Sequence, residues 1–128
     1  MVLVDTSVWV RAFMGVSPYA ARLDRLLELK DVAGHALVYG ELFIGDLGAR
    51  KRQLSSYVLM QQAIVVPHNN VVEFVTARRL YGRGLSWIDA HLLASAIVSR
   101  LPLWTADKTL AVAASEIGIA YEPLRILH

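Results

Sequence analysis

Asp5, Glu41, Asp89 and Asp107 each lie beside or within an apolar run. A carboxylate so placed caps a helix, meets a base or holds a cation. Asp5 ends Val2-Leu3-Val4, and Asp107 follows Leu103-Trp104-Thr105. Either can be a helix N-cap, and Asp89, three residues after Ser86, can close a capping box. Glu41 sits among Leu37, Val38, Leu42 and Ile44, where an unpaired carboxylate is costly unless it lies on a solvated helix edge. Taken together, carboxylates gathered at one end of a sheet repel one another unless positive charge lies between them. The chain has no cysteine, and its four histidines, His35, His68, His91 and His128, show no ligand spacing. An all-oxygen donor set suits Mg²⁺ or Mn²⁺ better than zinc.

Hydroxyls accompany the acids. Thr6, Ser7 and Thr105 are placed to hydrogen-bond a ligating carboxylate or a scissile phosphate, with turn and cap roles as the alternative. Two basic groups, Arg50-Lys51-Arg52 and Arg78-Arg79 with Arg83, are candidate contacts to a polyanionic partner, although a charge run is also what a solvated face looks like. Trp9, Trp87 and Trp104 read as core rather than as stacking platforms.

The elements that must position these residues follow from the pattern. Val2–Val4 is a short buried strand, followed by a helix through Trp9 and Phe13. Ser17 with Pro18 opens a second helix, whose Ala20, Leu23, Leu26 and Leu27 form one stripe. A strand near residues 31–34 precedes a helix over 37–47, and a further helix to Ala63 makes an αα-hairpin with a basic tip at 48–52. Ile64-Val65-Val66 reads as a third strand. Asn70 with Glu73 starts a helix running to Gly82. Ser86 starts another through Ile97, residues 101–104 form a fourth strand, 106–117 a helix, and 119–121 a last strand. Strands alternating with helices predict an α/β fold, a short parallel sheet covered on both faces as a three-layer α/β/α sandwich. With strand order 3-2-1-4-5, the first and fourth strands are neighbours, and Asp5 and Asp107 converge at the switch point.

The 128 residues suit a single domain spanning 1–128, and they contain no repeat, linker or low-complexity tract. At 55% hydrophobic residues and a mean hydropathy of +0.44, the chain carries more apolar side chains than an average soluble domain. The richest stretch, 32–47, is broken by Gly34, His35, Gly40, Glu41, Gly45 and Asp46, too often for a membrane span. The opening has no basic region before its apolar run, so no signal peptide is read and the expected location is cytoplasmic. The apolar excess therefore predicts a subunit or partner interface. Formal charge is +2. With those four of the eleven acids set aside for cations, thirteen basic residues face seven acidic ones, a balance that favours a polyanionic partner.

Four segments, Leu3-Val4-Asp5-Thr6-Ser7-Val8, Tyr39-Gly40-Glu41-Leu42, Leu85-Ser86-Trp87-Ile88-Asp89-Ala90-His91-Leu92-Leu93-Ala94 and Thr105-Ala106-Asp107-Lys108, resemble in order and spacing the PIN-domain ribonucleases. The resemblance is closest to the VapC toxins of toxin–antitoxin pairs and spans nearly the whole chain. It implies a Mg²⁺- or Mn²⁺-dependent endoribonuclease, a homodimer held inactive by a VapB-type antitoxin whose tail covers the active-site groove. It assigns Asp5, Glu41, Asp89 and Asp107 as the acidic quartet, with Thr6 or Ser7 as a supporting hydroxyl. Thr109 and Leu110 stand where many relatives carry a further acid or aromatic. Rival readings are a DNA-directed metal nuclease and a non-catalytic module that binds nucleic acid or protein. A haloacid dehalogenase-type phosphatase is disfavoured by Ser7, where that chemistry needs a second Asp. A receiver domain is disfavoured by Pro67-His68-Asn69 after Val66.

Overall fold

A computed structural model describes residues 1–45 and 51–122, with only the backbone of 51–53. Three parallel strands form the sheet: β1 (Val2–Val4), β2 (Val32–Ala33) and β3 (Leu103–Trp104), in the order β2-β1-β3. Register pairs Val2 with Val32 and Val4 with Trp104. Outside these, Gly34 bridges Gln62 on one edge and Leu103 bridges Ala120 on the other, both parallel. Of the expected five-strand order only the three central strands form among the described residues; on one edge the bridge falls at Gln62 rather than in residues 64–66, and on the other the last expected strand is a single bridge at Ala120. The described helices are α1 (Thr6–Phe13), α2 (Tyr19–Glu28), α3 (Ala36–Ile44), α4 (Lys51–Tyr57), α5 (His68–Ala77), α6 (Trp87–Ser99) and α7 (Lys108–Ile117). They and the sheet make a three-layer α/β/α fold.

All three residues of β1 are buried, as a central strand covered on both faces requires. Val8, Leu23, Leu42, Leu92, Leu93 and Leu110 pack with Leu3 in one core, so α1, α2, α3, α6 and α7 all bury a face against it. In α6 every residue from Ala90 to Ala96 is buried, which marks it as an interior helix rather than an amphipathic one. Among the described residues no helix is long and apolar enough to cross a membrane.

Several expectations are corrected. Ile64-Val65-Val66 is not a strand: Ile64 is 54% and Val65 45% exposed. Pairing with β2 ends one residue earlier, where Gly34 N–H donates to Gln61 O and Ala63 N–H to Gly34 O. The Ile64 N–H then turns to Ser99 Oγ instead of a strand. The helix expected to run on to Ala63 stops at Tyr57. Ser17 does not cap α2, whose N-cap is Pro18 with no side-chain bond. The helix predicted to start at Asn70 begins at His68 behind Pro67, again without a side-chain cap. It ends not at Gly82 but at Ala77, because Arg79 takes the left-handed conformation at φ 53° and Leu80 N–H closes back on Val75 O. The basic hairpin tip lies outside the described residues, apart from the helical backbone of Lys51 and Arg52.

Candidate active site at the carboxyl ends of the strands

Asp5 leaves the end of β1 and caps α1, and Thr105 leaves the end of the adjacent β3, with Asp5 N–H donating to Trp104 O. Parallel pairing of β1 with β3 therefore delivers both segments to one edge. There, Asp5 Oδ2 accepts from Ser7 Oγ at 2.6 Å and Thr105 Oγ1 at 2.8 Å, with a long contact from Ser7 N. Ser7 Oγ in turn accepts from Ala106 N–H at 2.9 Å, and Thr105 Oγ1 from Asp107 N–H at 3.0 Å. Two hydroxyls thereby fasten the first and fourth acidic segments together.

Asp107 caps α7 through Oδ1, which accepts from Thr109 N–H. Asp89 and Ser86 form the reciprocal capping box of α6, with Asp89 Oδ2 accepting from Ser86 N–H at 2.9 Å. Burial pushes the Asp89 carboxyl above its ordinary value, and the negative charges of Asp5 and Asp107 push it the same way, against the hydrogen bonds of Ser86. These three acids therefore share one electrostatic neighbourhood. Glu41, part-buried on α3, joins it through Thr6, whose Oγ1 donates to Glu41 Oε1 at 2.5 Å.

Capping and cation binding do not compete here. In each acid the hydrogen bonds among the described residues engage one oxygen: Oδ2 in Asp5 and Asp89, Oδ1 in Asp107, Oε1 in Glu41. The second oxygen of each is left for another ligand. Among the described residues no base forms an ion pair with them; the pairs there are Met1 with Asp31 and Arg83 with Glu116. This donor chemistry fits a hard divalent cation. The described residues do not, however, gather three ligating side chains around one point.

The helix carrying Glu41 is anchored by a buried network that sequence reasoning did not find. His35, fully buried, caps α3 by accepting from Leu37 N–H at Nδ1, which leaves Nε2 to donate to Ser95 Oγ of α6 at 2.8 Å. Its own N–H donates to Tyr57 Oη of α4. Burial lowers the His35 pKa to about 4, with His91 adding to the effect. The signal was a histidine directly before an apolar helix, where a cap is needed.

The basic residues scatter. Arg83 is held by Glu116 at 2.7 Å. Arg78, with Arg100 and Pro102, lines a cleft of about 390 Å³ at the amino end of β3, the far end of the sheet from the carboxylates. Arg79 lies at the turn after α5. Arg50 and the side chains of Lys51 and Arg52 lie outside the described residues.

Residues 2–116 match the family model described as PIN domain. Over 121 residues, covering 94% of this chain and 95% of the relative, the sequence is 42% identical to Ribonuclease VapC32 of Mycobacterium tuberculosis. Among solved structures, the crystal structure of PAE2754 from Pyrobaculum aerophilum is similar in fold, with a TM-score of 0.55 at 23% identity, covering 86% of this chain and 76% of that one. The family match, the near full-length identity and the fold agree: the chain belongs to the PIN-domain family and is of its VapC type.

Proposed function

We propose that this protein is a Mg²⁺- or Mn²⁺-dependent endoribonuclease, the toxin of a toxin–antitoxin pair. The observation that carries the reading is the trio Asp5, Asp89 and Asp107 at the carboxyl edge of the sheet, which among the described residues meets no base and has one oxygen of each acid without a hydrogen bond. The 42% identity to a protein named a ribonuclease supports the substrate class.

In this reading Asp5, Asp89, Asp107 and Glu41 hold the cation. A divalent ion there supplies Lewis acidity at the phosphodiester and a water nucleophile competent at neutral pH. Ser7 and Thr105 fix the rotamer of Asp5, and Thr6 fixes Glu41, so the oxygens are ordered before substrate arrives. Water adds at phosphorus and the 3′-oxygen leaves with a proton, giving 5′-phosphate and 3′-hydroxyl ends. The 2′-hydroxyl takes no part, so preference for RNA over DNA arises in binding.

The partner reading is a VapB-type antitoxin and a second copy of this chain. It is supported by an apolar cleft of about 390 Å³ lined by Trp9, Phe13, Leu27, Tyr57 and Met60. The exposed Phe43 and Ile44, in the same helix as Glu41, add to it.

A non-catalytic binding module is the second reading, favoured by the absence of a closed three-ligand cluster among the described residues. Incubation of the protein with a mixed RNA pool separates the two. Cleavage that needs Mg²⁺ or Mn²⁺, stops with EDTA and is lost in Asp89→Asn is the expected result; RNA binding without any cleavage sinks the enzyme.

A further inference from the structure

Trp87 stands in the first turn of α6, two residues before Asp89, and is 42% exposed. The sequence reading put all three tryptophans in the core, which holds for Trp9 and Trp104 but not for Trp87. Its indole is braced. His91, one turn along the same helix and only 7% exposed, meets it edge-on with ring centroids 5.1 Å apart at 89°. His68, at the solvent-facing start of α5, lies 4.9 Å away at a tilt of 48° and widens the ring surface. A large aromatic held in one orientation and facing water presents a flat apolar face to a ligand.

Its position relates it to the carboxylates. Residues two apart on a helix point to nearly opposite sides, so Trp87 and Asp89 flank the same helix end within a helix width of roughly 10–12 Å. Unpaired RNA recognised by proteins has its bases splayed out and stacked on aromatic side chains, whereas a paired base has both faces covered.

We propose that Trp87, backed by His91 and widened by His68, is a stacking platform for an unpaired RNA base near the scissile phosphate, selecting single-stranded over duplex substrate. The proposal rests on the ribonuclease reading. It makes Trp87 a positioning residue rather than a member of the acidic set.

The test uses the full chain carrying Asp107→Asn, titrated in Mg²⁺ with a short unstructured RNA and with the same sequence as a duplex. Because Trp9 and Trp104 are buried and Trp87 is exposed, a change in indole fluorescence on RNA contact reports Trp87. Saturable quenching by the single strand is expected, and Trp87→Phe removes it while keeping most of the affinity. Trp87→Ala weakens single-strand binding between about fivefold and a hundredfold. In the otherwise unaltered protein it raises KM for unpaired RNA and leaves kcat unchanged. Equal affinity of the alanine variant and its parent overturns the platform alone, whereas a parent that binds no RNA overturns the ribonuclease reading with it. Loss of affinity in Trp87→Phe equal to that in Trp87→Ala also refutes stacking. Should the alanine variant fail to fold, the fluorescence titration of the parent decides, and an unchanged signal at saturating RNA refutes the proposal.

Discussion

Thr105 Oγ1 donates to Oδ2 of Asp5 at 2.8 Å across 100 residues of chain. It is one of two hydroxyls that reach this oxygen, and it also accepts the backbone N–H of Asp107. A single side chain therefore orients one acid and the segment bearing another. In the ribonuclease reading, Thr105→Val removes both bonds while nearly preserving volume, and activity falls about ten- to a hundredfold. Thr105→Ser restores most of it. The check is the initial rate of RNA cleavage, with melting temperature measured alongside; full activity in the valine variant removes Thr105 from the site.

Asp5→Asn and Asp107→Asn keep a capping side chain, so both variants retain the fold. In the ribonuclease reading, cleavage is abolished in each. The same variants separate cation binding from capping. In the metal-dependent reading, Mg²⁺ at a hundred times its dissociation constant is expected to stabilise the parent by about 2.7 kcal/mol, seen as a rise in melting temperature over EDTA. Neither Asn variant gains that rise, and an equal gain in all three proteins shows the ion binding elsewhere.

Without a bound cation Asp89 carries a cost, because its charge is partly buried and lies near those of Asp5 and Asp107. Its carboxyl titrates above the unfolded value, so the penalty is present above that range and vanishes once the group is protonated at acid pH. Asp89→Asn is therefore more stable than the parent in EDTA at neutral pH, and the difference shrinks on acidification. Activity is lost in the same variant, a trade of function for stability. Denaturant unfolding at neutral and acid pH measures it, and an Asn variant less stable at both contradicts the shared field.

His35 gives stability the opposite dependence on acid from that of Asp89. The folded imidazole is held near pKa 4, against 6.5 for the unfolded chain. Above 6.5 both states are neutral and the buried network contributes in full. As pH falls from about 6.5 towards 4, the unfolded chain binds a proton that the folded one refuses, and about 3 kcal/mol is lost. His35→Asn keeps a capping side chain and lowers stability at pH 7, but flattens this limb. Urea midpoints across the window decide, and parallel curves for parent and variant refute the assignment.

Leu93 is fully buried in α6 among the residues of the main core, so shortening it leaves a cavity. Leu93→Ala costs about 2–5 kcal/mol. That loss is read by urea unfolding at pH 7.

The amino-acid sequence by itself determined what depends on neighbours along the chain. Val2–Val4 ending in Asp5, the Ser86–Asp89 capping box and the helix after Asp107 are local: a short apolar run or a cap three residues away decides them. The parallel order around β1 followed from alternating elements, and with it the meeting of Asp5 and the Thr105 segment. Tertiary packing decided the rest. Glu41 found Thr6 rather than a base, because α1 and α3 pack together. Ile64 and Val65 have strand-forming side chains, yet the edge of β2 offers pairing only at Gly34. His35 became a cap and a buried link between helices only when Ser95 and Tyr57 were brought to it from 60 and 22 residues away. Trp87 is exposed because its side of α6 ends in solvent, braced by two imidazoles that no local pattern pairs. Burial belongs to the assembled layers, and local pattern constrains it only where a residue's partners lie on its own helix or strand.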